Sequence, residues 1–212
     1  MINSAARTYR IKEIFRTLQG EGANAGRSAI FIRFAGCNLW SGREQDRLRG
    51  RGSCALWCDT DFYGGEDLDS RQIAERVRTL SGMNGAIFVV LTGGEPLLQL
   101  DRNLVDELHR NGCVLAIETN GTIATDLPLD WICVSPKVGA ELKLTAGDEL
   151  KVIYPQENLN FRGLEKLGFR YFFIQPMDGP AREENTRAAI NFCTQNPRWR
   201  LSLQIHKLIG IP

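Results

Sequence analysis

The sequence predicts an α/β protein, an incomplete (β/α) barrel with a mostly parallel sheet and fewer helices than strands. Three observations predict this class. Several β-rich runs are continuously apolar, as strands covered on both faces are. Helical patterns separate the early runs. Later links are short and rich in turn residues, which leaves them no helix.

The β-rich runs cover residues 9–15, 29–34, 86–92, 114–119, 131–135, 149–154, 171–175 and 200–204. Segments 70–80, 101–110, 158–167 and 183–195 read as helices, each opened by a cap or an acidic first turn. Gly112 and Gly168 sit just past two of the helix ends. Segment 120–130 holds Gly121, Pro128 and two threonines, which suit a loop, and 136–148 reads the same way. A parallel crossover needs about a dozen residues, so both links are feasible without helices. No repeat, low-complexity tract or composition break marks a second unit, so residues 1–212 are expected to form a single domain.

The composition, 43% hydrophobic and 24% charged, is that of an ordinary globular protein with a sizeable core. Lys and Arg number 26 against 25 Asp and Glu, so neither a nucleic-acid nor a membrane partner is expected. No apolar run approaches bilayer length, and Met1 to Arg10 lack the apolar stretch of a secretory signal. A reducing, cytoplasmic location is expected. In that setting the six cysteines do not read as a disulfide framework. Cys113, Cys133 and Cys193 sit singly in apolar stretches and read as small buried hydrophobes.

Cys37, Cys54 and Cys58 form a different group, in a glycine- and arginine-rich segment that favours turns. Three thiolates on a four-iron cluster leave one iron free to hold a further ligand. By spacing alone the trio is equally compatible with part of a zinc site or with free thiols, since His109 and His206 lie far along the chain. A second signal is the apolar strand Val89-Val90-Leu91 ending in Thr92-Gly93-Gly94-Glu95-Pro96. Paired glycines admit a ligand close to the backbone, and Glu95 falls at the strand's C-terminal end, where barrel active sites lie. The plain alternative is a turn opened by Pro96.

Together, the three-cysteine loop and the later Gly-Gly-Glu loop resemble the radical S-adenosylmethionine superfamily. The resemblance implies a [4Fe-4S] cluster on the cysteines, S-adenosylmethionine on its fourth iron, Trp57 near the adenine and Gly93–Glu95 at the methionine amino group. Further islands narrow it: Thr17-Leu18-Gln19-Gly20-Glu21-Gly22, Arg33-Phe34-Ala35-Gly36-Cys37-Asn38-Leu39-Trp40 and Cys58-Asp59-Thr60-Asp61-Phe62. So do Glu118-Thr119-Asn120-Gly121-Thr122, Ser135-Pro136-Lys137, Gln175-Pro176-Met177-Asp178-Gly179 and the ending from His206-Lys207 to Pro212. These resemble the 7-carboxy-7-deazaguanine synthase family over nearly the whole chain.

That resemblance implies a carbon–nitrogen lyase of queuosine biosynthesis. It would convert 6-carboxy-5,6,7,8-tetrahydropterin to 7-carboxy-7-deazaguanine, releasing ammonia by radical ring contraction, with Mg2+ in support. It further implies Cys37, Cys54 and Cys58 on the cluster and Thr60 on Mg2+. Leu18, Gln19, Gly20, Glu21, Arg33, Thr92, His206 and the α-carboxylate of Pro212 would contact the pterin. Gly94, Ser135, Pro136, Lys137, Gln175, Pro176, Met177 and Asp178 would line the S-adenosylmethionine site. A homodimer and an electron donor such as flavodoxin are implied as partners. No side chain is singled out as catalytic, because the cofactor's radical abstracts the substrate hydrogen.

Residue chemistry is compatible with these roles. Glu21 can accept from ring donors, Arg33 can pair bidentately with a carboxylate, and Mg2+ prefers hard oxygens such as that of Thr60. The plain alternatives are a strand-end surface charge for Arg33, a turn hydroxyl for Thr60 and an ordinary half-buried histidine for His206.

The chain departs from the family in its cysteine gaps. Sixteen residues separate Cys37 from Cys54 and three separate Cys54 from Cys58, both longer than is usual. The insertion carries Arg43, Arg47, Arg49 and Arg51, which read either as a solvated loop or as a docking face for an acidic electron donor. Two rival functions are a glycyl-radical activase of the same superfamily and a zinc-stabilised binding module. Segment 18–21 with Arg33 and the 206–212 tail favour a small-molecule pocket over the first. A coloured, iron- and sulfide-containing protein would exclude the second.

Overall fold

The structure is a computed structural model that describes residues 7–52, 54–82 and 86–212. Its strands are β1 (Thr8–Leu18), β2 (Ser28–Phe34), β3 (Glu66–Asp69), β4 (Ile87–Gly93), β5 (Cys113–Thr119), β6 (Trp131–Val134), β7 (Ala146–Tyr154), β8 (Gly168–Pro176) and β9 (Trp199–Leu201). The helices are α1 (Cys54–Trp57), α2 (Ser70–Ser81), α3 (Arg102–Arg110), α4 (Phe161–Leu164), α5 (Arg182–Gln195) and α6 (Ile205–Ile209). Among the described residues, no helix is long and apolar enough to cross a membrane.

All nine strands join one sheet in the order β3-β1-β2-β4-β5-β6-β7-β8-β9. Only β1 runs against its neighbours, β2 and β3, while every pairing from β2 to β9 is parallel. Strands β3 and β9 form unpaired edges, so the sheet stays open. The α/β class with a mostly parallel sheet and fewer helices than strands is therefore the observed one.

Burial on both faces explains the apolar runs. In β4, Val89 and Leu91 join a core with α2 and α3, whereas Phe88 and Val90 enter a separate cluster with Ala29 and Ala116. A third cluster packs β7 and β8 against α5, with Trp199, Phe172 and Ala189 buried. Helix α2 starts at a capping box, with Asp69 accepting from Gln72 N (2.8 Å) and Gln72 Oε1 accepting from Asp69 N (2.9 Å). Asp101 caps α3 by accepting from Leu104 N (3.1 Å) and also receives the Tyr9 hydroxyl (2.7 Å).

Several boundaries differ from the sequence expectation. Strand β1 continues to Leu18, past residue 15, because it pairs with β2 down to Leu18↔Ser28. The helix expected over 158–167 shrinks to Phe161–Leu164, since Asn158 adopts φ 62° and Asn160 caps Gly163. The last strand covers Trp199–Leu201 and not 200–204, because its pairing with β8 ends at Leu201↔Ile174; beyond it the Ser202 hydroxyl donates to Gln175 (3.0 Å). Strand β3 and helices α1 and α6 have no counterpart in the expectation.

Candidate functional site

The C-terminal ends of the parallel strands surround one cavity of about 330 Å³. Thr92 and Gly93 end β4, Glu118 and Thr119 end β5, Ser135 follows β6, and Gln175 and Pro176 end β8. This is the face on which barrel folds carry their sites, and the volume suits a small molecule.

The sheet gathers at this cavity almost all the residues singled out from sequence. Leu18, Gln19, Glu21, Arg33, Thr92, His206 and Pro212 border it. Trp57, Gly93, Gly94, Ser135, Lys137, Gln175, Pro176 and Asp178 do as well, together with Cys37, Cys54, Cys58 and Thr60. Four candidates stand outside the lining. Gly20 lies behind His206: a Cβ on it would sit 2.2 Å from His206 Nδ1, so the imidazole packs where only hydrogen fits. Pro136 is buried and its carbonyl accepts from Gln156 (3.3 Å). The main chain of Met177 bonds Tyr154 and Asn185.

Glu95 is the fourth. It is fully buried and accepts from Thr119 Oγ1 (2.8 Å), Asn120 N (2.8 Å) and Leu97 N (3.0 Å). Burial pushes its carboxyl up, against the pull of those donors. In this arrangement it clamps the end of β4 to the end of β5.

The cysteine segment has a definite local form. Residues 54–57 make one helical turn, and Cys58 N donates to the Cys54 carbonyl (2.8 Å). A three-residue gap at i and i+4 thus puts both thiols on one side of the turn. They share a hydrogen bond that pushes Cys54 up and brings Cys58 down to about 6. Cys37 arrives from the loop after β2, where burial raises its thiol. Trp40 and Phe62 pack behind Cys37 and Cys58, with their rings edge-on at 5.6 Å.

Among the described residues, no three His, Cys, Asp or Glu converge as they would on a single ion. A cluster spreads its thiolate ligands over several irons, so three thiols set around one cavity suit it better than a compact mononuclear site. Among the described residues the buried indole N–H of Trp40 has no oxygen or nitrogen acceptor; it lies against the Cys58 thiol and is placed to donate to sulfur. The donor set therefore fits an iron–sulfur cluster.

Charged side chains line the same cavity. Lys151, buried in β7, is ion-paired with Glu21 and lies 3.5 Å from Glu118 Oε1. Gln19 donates to Glu118 (3.0 Å), as does Thr92 (3.3 Å), and Gln204 donates to Glu21 (3.0 Å). Burial opposes ionisation of Glu21, yet Lys151 wins and holds that carboxyl at about 2. Lys137, pushed down by burial, is secured by the Ser135 carbonyl and hydroxyl and lies 5.8 Å from the centre of the Trp57 ring. Arg33 pairs with Glu13 (2.6 Å) at the cavity's other rim. Sequence reasoning assigned no role to Lys151 or Gln204, and gave Glu118 and Lys207 none beyond their motifs.

No family model matches the chain. Curated relatives match it from end to end. The 7-carboxy-7-deazaguanine synthase of Burkholderia multivorans is 55% identical, covering 97% of this chain and 100% of its own. The chain belongs to the 7-carboxy-7-deazaguanine synthase family. The Bordetella pertussis 7-carboxy-7-deazaguanine synthase is 50% identical, over 96% of this chain and 99% of its own. The crystal structure of QueE from Escherichia coli superposes with a TM-score of 0.72 at 30% identity, covering 94% and 95% of the two chains. This is a radical S-adenosylmethionine family of lyases, and the chain is an enzyme of that class.

Proposed function

We propose that this enzyme converts 6-carboxy-5,6,7,8-tetrahydropterin to 7-carboxy-7-deazaguanine, with release of ammonia, in queuosine biosynthesis. One observation carries the reading. A single cavity is bordered both by three thiols and by the Gln19, Glu21, Arg33 and Thr92 side chains, in a chain 55% identical to a synthase of that name. The juxtaposition suits a reaction in which a cluster-bound cofactor acts on a polar bicyclic ring beside it.

Cys37, Cys54 and Cys58 would hold the [4Fe-4S] cluster. When bound, the cluster and S-adenosylmethionine supply the carbon radical that abstracts the substrate hydrogen. Trp57, Gly93, Gly94, Ser135, Lys137, Gln175, Pro176 and Asp178 would enclose the cofactor. Lys137, whose ammonium is destabilised by burial, is suited to a carboxylate or a hydroxyl there. Glu21 and Gln19 would accept and donate to the pterin ring, and Arg33 would meet its carboxylate. Thr60 would supply a hard oxygen to Mg2+. His206 and Pro212 would close the substrate side.

The chain is read as one domain, acting as a homodimer in the cytoplasm with a flavodoxin-like electron donor. Support for such a donor comes from Arg43, which stacks on Tyr63 (5.1 Å), and from Arg47, which stacks on Trp40 (4.5 Å) and pairs with Glu44 (2.8 Å), both near the cysteine segment.

Anaerobic reconstitution followed by addition of S-adenosylmethionine, a reductant and the carboxytetrahydropterin tests the proposal. The expected products are 7-carboxy-7-deazaguanine and one equivalent of ammonia. Iron-loaded protein that cleaves the cofactor but leaves the pterin unchanged would overturn it.

A further inference from the structure

We infer that Lys151 is a positioning residue of the substrate pocket, whose buried ammonium bridges Glu21 and Glu118 and holds both as acceptors for N–H groups of the substrate ring. The inference deepens the proposed function and rests on that reading for the identity of the substrate.

The geometry is that of a shared counter-ion. The Lys151 side chain is 5% exposed, against 14% for Glu21 and 23% for Glu118. Glu21 arrives from the loop after β1, Glu118 from the end of β5 and Lys151 from the middle of β7. An ionised carboxylate offers about four acceptor sites. Glu21 uses two, for Lys151 and Gln204, and Glu118 uses three, for Gln19, Lys151 and Thr92. Both carboxylates border the cavity with acceptor capacity left over.

A neighbour shows what direct pairing does. Glu149 lies two residues from Lys151 on β7, makes no ion pair with it and is pushed up by burial. Glu21 is also buried, but the ammonium on its oxygen holds it at about 2. The charged or polar groups around Glu21 are Lys151 and Glu149 from β7, Glu118 from β5, Cys133 from β6, and Gln204 and His206 from the C-terminal segment. Asp59 joins them through Gln204 (3.2 Å). With Lys151 removed, Glu21 and Glu118 lose the one cation that touches both, while Lys137 across the same lining stays engaged with Ser135, and one of the two carboxylates takes a proton. That group then donates where the substrate needs an acceptor.

The test compares wild type with Lys151→Met and Lys151→Arg. Infrared spectra of the ligand-free proteins, recorded against pH, report protonated carboxyl directly. Lys151→Met is expected to gain a carboxylic-acid band near neutral pH that wild type and Lys151→Arg lack. Calorimetric binding of the carboxytetrahydropterin should be flat in wild type from about pH 8 to 5.5. In Lys151→Met its Kd should rise about tenfold per pH unit below the new pKa, and Lys151→Arg should restore the flat profile.

A folded Lys151→Met protein with no new band and a pH profile parallel to wild type overturns the inference. A new band in a protein family that does not bind the pterin at all supports the role of Lys151 and overturns the substrate reading, so the two fail separately. Should Lys151→Met not fold, the double variant Lys151→Met, Glu118→Gln decides. Restored folding supports the carboxylate clash, and continued unfolding overturns it.

Discussion

Lys207 Nζ donates to Asp178 Oδ2 across 2.7 Å and ties α6 to the loop that follows β8. The same ammonium holds Asp59, the residue after Cys58, so one side chain joins three parts of the cavity rim. A five-residue helix has no stability of its own, and the apolar side chains of Leu208 and Ile209 on α6 are exposed. The position of His206 against Gly20 therefore depends on this latch and on the Ile205 N bond to the Gly20 carbonyl (3.0 Å).

Lys207→Met should release α6 without unfolding the sheet. Two part-exposed charge-assisted bonds at this site are worth roughly 1–2 kcal/mol together. Hydrogen exchange of the amides in 205–209 should accelerate about tenfold, and KM for the pterin should rise more than kcat falls. Exchange indistinguishable from wild type would show that other contacts carry the helix.

The Glu21–Lys151 pair gives stability a definite pH dependence. Lys151 holds the Glu21 carboxyl at about 2 in the folded chain, well below the ordinary 4.5 of a glutamate. A depressed carboxylate contributes fully above the unfolded value and loses that contribution as the pH falls through the folded one. Glu21→Gln should therefore cost up to about 3 kcal/mol at neutral pH. The gap between the two melting curves should narrow as pH drops from about 4.5 towards 2. Thermal melts at matched ionic strength check this, and a gap independent of pH would mean the loss is packing alone.

These contacts explain which parts of the protein were legible in the sequence. Strand β4 was, because Phe88 to Leu91 are apolar on both faces and lead into Gly93-Gly94. The cysteine trio was visible by residue type, but its helical turn was not, since the flanking glycines and arginines favour turns. Strand β3 is Glu-Asp-Leu-Asp, a poor strand former recruited by pairing with β1 from Thr8↔Asp69 to Ile11↔Glu66. Lys151 interrupts an apolar run, and its partner Glu21 lies 130 residues away, beyond any local pattern. Glu95 was legible in its motif, but the bonds its carboxylate accepts from Thr119 and Asn120 are visible only once β4 and β5 lie side by side.

The two classes of cysteine should separate on substitution. Cys54→Ala removes a thiol that borders the cavity, whereas Cys193 is half-buried in the cluster around α5. After anaerobic reconstitution, Cys54→Ala should lose most bound iron and sulfide. Cys193→Ala should load normally and cost about 1–2 kcal/mol in urea unfolding. Equal iron content in the two variants would remove Cys54 from the ligand set.

Gly94 offers a test that leaves every thiol in place. Its amide bonds the Phe34 carbonyl (3.2 Å), and the next amide, of Glu95, bonds the Gly36 carbonyl (2.9 Å). These bonds draw the end of β4 against the loop that carries Cys37. A Cβ on residue 94 would lie 2.0 Å from Gly36 O and 3.0 Å from Cys37 Cβ. Neither atom is the far end of a flexible side chain, so Gly94→Ala can be accommodated only by moving the Cys37 loop away from β4. Overpacking of this kind costs roughly 1–3 kcal/mol, which a sheet of this size should survive. The expected protein is folded by circular dichroism, melts somewhat lower and binds less than half the iron of wild type. Cys58→Ala, which removes a thiol but leaves this backbone contact alone, should lose iron without disturbing the β4–Cys37 contact. Full iron loading by Gly94→Ala would mean that the position of Cys37 does not depend on the close approach of β4.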